Sequence, residues 1–168
     1  MKIDHLEERV NEYKNTIKTV FEKRMLWKNN IKNLIMNTLK IAEAKYPIGW
    51  QVQELNWIHS NEAVNITFES FPPDMIELTN QLPNYRFLQG DSLVFTQLYN
   101  GDISILILFA VPERSMPTDD DSEELGTYSP EQITETLVAE KIDTFLKEVI
   151  KRDVTSPSGK MGFSKEKN

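Results

Sequence analysis

The side chains in this sequence that could do chemistry are mostly carboxylates. Asp119, Asp120, Asp121, Glu123 and Glu124 form one dense acidic run. Asp119, Asp121 and Glu123 alternate as the first ligands of a calcium loop do. Such a loop needs glycine at its sixth position and a bidentate acid at its twelfth, where this chain has Glu124 and Pro130. The run therefore reads as an exposed acidic loop, and no metal site is expected. The two histidines, His5 and His59, fall in unrelated segments and in no H-x-x-x-H pattern, so zinc is not expected either. There is no cysteine, hence no thiol nucleophile, zinc-thiolate site or disulfide framework. Glu54, Glu69 and Asp91 are carboxylates suited to acid–base work, but no spacing in the sequence brings two of them together. Glycine loops that cradle phosphate are absent, and Ser92 and Ser115 lack the context of a nucleophile elbow. No catalytic residue and no cofactor is assigned.

Aromatic residues are the remaining chemical resource. Trp27, Trp50, Trp57, Phe68, Phe71, Tyr85, Phe87, Phe95 and Tyr99 could line a pocket between helix and sheet, or they could fill the core, which is the favoured reading. The pocket alternative would make the chain a small-molecule-binding domain or a hydrolase.

The elements that must position these residues begin with a long helix. From Ile3 to Ala44 there is no Gly or Pro, and the helical pattern ends at Pro47 and Gly49. Ile3, Leu6, Val10, Tyr13, Ile17, Val20, Trp27, Ile31, Leu34 and Ile41 follow at alternating steps of three and four, with Arg24 and Thr38 interrupting. That is the heptad seam of a coiled coil. Charged residues flank a narrow stripe up to Arg24. From Met25 the apolar face widens to include Ile35, Met36 and Leu39, as suits packing on a sheet. The expectation is that residues 1–24 form a projecting coiled-coil segment while the rest docks. Val10, Tyr13, Ile17 and Val20 are its candidate partner-binding residues, together with the acidic run Asp119, Asp120, Asp121, Glu123 and Glu124.

Four or five antiparallel strands follow. Trp50–Trp57 changes parity near Glu54, which predicts a bulge. Val64, Ile66 and Phe68 alternate with polar residues. A short helix through Met75–Leu82 and a short strand at Tyr85–Leu88 come next. Asn100-Gly101 predicts a type I′ turn joining Ser92–Tyr99 to Ile103–Val111. The second of these strands is apolar on both parities and should be covered on both faces, by helices or by a second subunit. Residues 112–128 read as an exposed loop. Ser129-Pro130-Glu131-Gln132 forms a capping box that opens an amphipathic C-terminal helix. The fold class is therefore α+β: a single domain at residues 1–153, with a disordered tail at 154–168.

Charge narrows the partner. The chain of 168 residues has a formal net charge of −7. Residues 1–46 carry ten Lys/Arg against six Asp/Glu, a net of +4. Residues 47–140 carry two Lys/Arg against sixteen Asp/Glu, a net of −14. Phosphate would be repelled by that middle, so nucleic acid is not expected and a basic protein partner is favoured. No apolar run is long enough to span a membrane and no secretory signal opens the chain, which makes the cytoplasm the default. In size, acidity and mixed helix–sheet order the chain is somewhat similar to secretion chaperones of the type III kind. That likeness, which no motif carries, implies a chaperone-like class. The sequence reading is a non-enzymatic interaction module, expected to be a homodimer: an adaptor, a chaperone or an immunity-type inhibitor.

Overall fold

A computed structural model of the chain describes residues 3–56, 61–75, 90–110 and 121–154. It opens with one rod. A 3₁₀ turn at Asp4–Leu6 leads into helix α1 (Glu7–Leu26), a π-helical turn (Trp27–Ile31) and helix α2 (Lys32–Lys45). With no Gly or Pro before Pro47, the rod stays helical throughout, its ladder shifting only at the π turn. Tyr46 then leaves helical geometry. Gly49 follows at a φ of 97°, where a Cβ would lie 2.0 Å from the Ser70 carbonyl oxygen. Only glycine permits that reversal into the sheet.

Among the described residues five strands follow: β1 (Trp50–Asn56), β2 (Glu62–Phe68), β3 (Ser92–Gln97), β4 (Ile103–Leu108) and β5 (Ser122–Tyr128). They lie side by side in sequence order, each antiparallel to the next. A 3₁₀ turn at Pro130–Gln132 and helix α3 (Glu135–Val154) complete an α+β fold. The register puts Trp50, Val64, Ile66, Leu93, Phe95, Ile103, Ile105 and Ile107 on one face. Trp27, Ile31, Ile35 and Leu39 from the rod and Val138, Ile142, Phe145 and Val149 from α3 share their core. Trp50 stacks on Phe68 at 5.8 Å between ring centroids, and Phe68 meets Phe145 at 5.7 Å. Most of the aromatics that are described thus fill the interior. Tyr99 is exposed at the β3–β4 turn, as are Tyr13, Phe21 and Tyr46 on or after the rod; Phe71 is half-buried outside the core, and Trp57, Tyr85 and Phe87 lie outside the described residues.

Several local expectations need correction. β1 pairs with β2 without any shift, so there is no bulge near Glu54. The irregularity lies instead between β4 and β5, where Ile105 pairs with Gly126 and Leu106 with Glu124. Residues 122–128, expected as loop, form edge strand β5. Ser-Glu-Glu-Leu-Gly-Thr-Tyr lacks strand patterning, and pairing with β4 overrides that weak local preference. The β3–β4 connection is a three-residue loop, Tyr99–Gly101, closed by the Gly101 N–H donating to the Leu98 carbonyl and with Gly101 at a φ of 91°. It is not a two-residue turn. The capping box at Ser129 and Gln132 is present but caps the 3₁₀ turn. The chain then extends at Ile133, and the Leu137 N–H donates to Thr134 Oγ1 where α3 begins.

β4 is not enclosed on both faces as its composition suggested. Ile103, Ile105 and Ile107 are buried under the helices, whereas Ser104 and Leu106 are half-buried and Leu108 is exposed. The opposite face carries Ala63, Asn65, Thr67, Ser92 and Val94, which are buried but lie outside the helix-facing core. The expected strand at 85–88, the helical stretch beyond Met75 and the tail after Val154 lie outside the described residues.

Candidate interaction surface

A sheet of strands six or seven residues long spans roughly 20–23 Å. A rod running from Glu7 to Lys45 is roughly 58 Å long at about 1.5 Å per residue. The sheet can therefore cover only part of the rod. Trp27, Ile31, Ile35 and Leu39 are the buried residues on it, while every residue from Ile3 to Thr19 is exposed. The apolar stripe continues past the sheet, and no described residue covers it: Val10 is 46%, Tyr13 65% and Ile17 44% exposed, with Ile3, Leu6 and Phe21 exposed as well. Val20 is half-buried where the stripe reaches the sheet. The four candidate residues Val10, Tyr13, Ile17 and Val20 therefore share one helix face.

The boundary between covered and uncovered helix is fastened by polar contacts. Lys23 Nζ donates to Asp102 Oδ1 at 2.8 Å. Arg24 Nη1 lies 3.3 Å from Asn61 Oδ1 and from the Leu98 and Tyr99 carbonyl oxygens. Gly101 packs so closely that a Cβ there would sit 2.5 Å from the Lys23 Cβ. One turn on, Trp27 Nε1 donates to Glu62 Oε1 at 3.2 Å, and Lys32 Nζ reaches Glu54 at 2.8 Å and Glu62 at 3.1 Å. The hydrogen bond to Glu54, aided by Glu62 and opposed by burial, raises the Lys32 amine above its ordinary 10.5. Arg24 interrupts the heptad series because it is the clamp on the β3–β4 turn. A depression of about 270 Å³ lies alongside, lined by Phe21, Arg24, Met25, Trp27, Lys28, Glu62 and Gln97.

The π turn corrects the seam beyond this clamp. A π turn takes up one residue more than an α turn, and the Lys32 N–H accordingly bonds to the Trp27 carbonyl. The buried positions then run 27, 31, 35 and 39 in steps of four. Ile41, expected in the seam, is 66% exposed, and Leu34 is only half-buried. No sequence signal marks the turn; Lys28-Asn29-Asn30 is merely polar.

The acidic run lies elsewhere. Tyr128 pairs with Ile103, beside the α1 end of the sheet, and Ser122 pairs with Leu108 at the far end. Asp121 is thus about 20 Å along β5 from Tyr128, and the seam and the acids are two separate surfaces. Asp121 is half-buried beside Arg152, whose Nη2 lies 3.5 Å from its Oδ1 and whose guanidinium covers the Phe109 ring at 4.2 Å. Glu123 is half-buried, and Glu124 is exposed and accepts from Thr127 Oγ1 at 3.2 Å. Asp119 and Asp120 lie outside the described residues. Nearby, Asp91 accepts from the Ala110 N–H at 2.6 Å. Burial is the main cause that raises its carboxyl above the usual 3.8, with Asp153 adding and Ala110 and Arg152 opposing. Among the described residues no group of three or more His, Asp or Glu could hold a metal ion.

The fold and this surface define an α+β protein whose N-terminal helix outruns its sheet and carries an uncovered apolar stripe. No protein-family model, no curated protein and no solved structure matches the chain. Among the described residues, no helix is long and apolar enough to cross a membrane.

Proposed function

We infer that this chain is a non-enzymatic interaction module that binds another protein chain through the apolar stripe of α1 beyond the sheet. One observation carries the reading: Val10, Tyr13 and Ile17 stay exposed on the same helix whose later turns bury Trp27, Ile31, Ile35 and Leu39. Exposed apolar side chains aligned over several turns mark a surface that another helix can cover. Adaptor, chaperone and immunity-type inhibitor are the classes that use such a surface. The stripe is favoured over the acidic run because Asp121 is already engaged by Arg152. Among partners other than a second copy of this chain, the acidity of the middle region favours a basic one through long-range attraction.

The test compares the full chain with a Val10→Gln/Ile17→Gln variant in light scattering and in affinity capture from the native source. The expected result is a stoichiometric protein complex, with itself or with another chain, that the variant loses. A stoichiometric complex that the variant retains in full would overturn the assignment to α1.

A further inference from the structure

The identity of the occupant can be taken one step further, resting on the reading of α1 as a docking surface. We propose that the stripe is covered by the same stripe of a second copy of this chain, with the two α1 helices antiparallel. The register places seam residues whose numbers total 23 opposite each other, and the flanking residues that follow Leu6 and Tyr13 then face each other with numbers totalling 21. Ile3 then meets the partner's Val20, Leu6 the partner's Ile17, and Val10 the partner's Tyr13, with the same three contacts repeated by symmetry. Every apolar position of the stripe between Ile3 and Val20 meets another apolar position, and Phe21 lies beside the partner's Ile3. Such a match of apolar layers is what a coiled-coil interface requires.

Charge selects the antiparallel sense. Glu7 and Lys14 each follow an inner apolar residue, Leu6 and Tyr13, and so flank the seam on the same side. Antiparallel pairing in this register sets Glu7 against the partner's Lys14 twice, once on each side of the two-fold axis. Parallel pairing instead sets Arg9 against the partner's Lys14, a like-charge contact; Lys2, which could offset it, lies outside the described residues. Opposed helix dipoles also favour the antiparallel arrangement. The bodies agree with this sense. The sheet meets α1 at Lys23, Arg24 and Gly101, just beyond the last paired residue, Val20. Antiparallel pairing places the two sheets at opposite ends of an overlap roughly 26 Å long. Parallel pairing would bring both β3–β4 turns to the same level.

The test is sedimentation equilibrium of the full chain, of Lys14→Glu, and of Glu7→Lys/Lys14→Glu. The carboxylate introduced by Lys14→Glu stands four residues before Lys18, a favourable pairing within the helix, so this substitution does not weaken α1 itself. The expected result is a wild-type dimer, roughly tenfold weaker dimerisation for Lys14→Glu, and recovery in the double variant. Stronger dimerisation of Lys14→Glu would overturn the antiparallel sense. A chain that stays monomeric at high micromolar concentration would overturn self-pairing altogether. The interaction reading fails separately: if the chain is monomeric but captures a chain of different sequence that Val10→Gln/Ile17→Gln loses, self-pairing is overturned and the docking surface stands. Because the chain has no cysteine, a second measurement is clean. Leu6→Cys mixed with Ile17→Cys should oxidise to the mixed dimer, and disulfides only between like variants would again overturn the register.

Discussion

Lys23 and Asp102 are 79 positions apart in the sequence and 2.8 Å apart in space. Their contact fixes where the helix stops being a free rod and becomes part of the domain. Both side chains are about three-quarters buried (27% and 23% exposed). A pair so placed should contribute more than a surface ion pair and less than a fully buried one. A double-mutant cycle of Lys23→Met and Asp102→Asn, read by urea denaturation, should give a coupling of about 1 kcal/mol. A coupling near zero would show that the turn is held by Arg24 and packing alone.

Gly101 should be the least replaceable residue of that turn. At a φ of 91°, alanine is strained, and its Cβ would fall 2.5 Å from the Lys23 Cβ. Gly101→Ala should therefore cost about 2–3 kcal/mol, combining backbone strain with a forced retreat of α1. The midpoint of urea unfolding measures the cost, and a loss below about 1 kcal/mol would show that the helix yields easily.

Trp27 should report on the junction. Trp27→Phe keeps most of the buried ring but removes the N–H donated to Glu62. The expected loss is about 1–2 kcal/mol, against about 3–5 kcal/mol for Trp27→Ala. Lys32 still engages Glu62 in either variant, so the smaller loss isolates one hydrogen bond and a small change of volume.

Asp91 sets a pH dependence of definite sign. Its carboxyl is raised in the fold, chiefly by burial. The folded state therefore binds that proton more tightly than the unfolded chain does. The associated stability is fully present below pH 3.8 and is lost as pH rises through the raised folded value. Asp91→Asn keeps an oxygen that can accept from the Ala110 N–H. It should flatten the pH dependence of stability above pH 3.8 and leave the protein at least as stable at neutral pH. Denaturation curves at several pH values measure this, and an unchanged slope would place the pH dependence elsewhere.

The exposed stripe should separate association from folding. Val10→Gln and Ile17→Gln remove apolar surface at positions 46% and 44% exposed and retain good helix propensity. Monomer stability at high dilution should change by no more than about 0.5 kcal/mol per site, while association is lost. Calorimetry across a concentration series measures both effects. A large stability loss that does not depend on concentration would mean these residues pack within their own chain.

The long helix and the α+β class were legible because their signals are local and repeated. More than forty residues without Gly or Pro leave few alternatives to a rod, and Gly49 and Gly101 punctuate it and the sheet through backbone freedom. β5 was not legible: Ser122–Tyr128 has no alternation, and it becomes a strand because β4 presents an unpaired edge beside it. Arg24 and Thr38 looked like defects of one seam. Arg24 proved to be a clamp on carbonyls 74 and 75 positions away, a partnership that no local pattern encodes. Thr38 donates its hydroxyl to the Leu34 carbonyl within its own helix.

By itself, the sequence determined the stripe: its residue types, its spacing from Ile3 to Ile17, and the charges at Glu7 and Lys14 that flank it. Helical periodicity is a property of the backbone, and it needs nothing from the rest of the chain. Only the tertiary structure decided which part of the stripe is core and which is surface. That division follows from the mismatch between a rod of roughly 58 Å and a sheet of roughly 20–23 Å. It is made sharper by the π turn at Trp27–Ile31, which rephases the buried face to Ile35 and Leu39. Strand length, strand order and the position of the β3–β4 turn are set by pairings between distant residues, and those pairings place the boundary at Val20–Arg24.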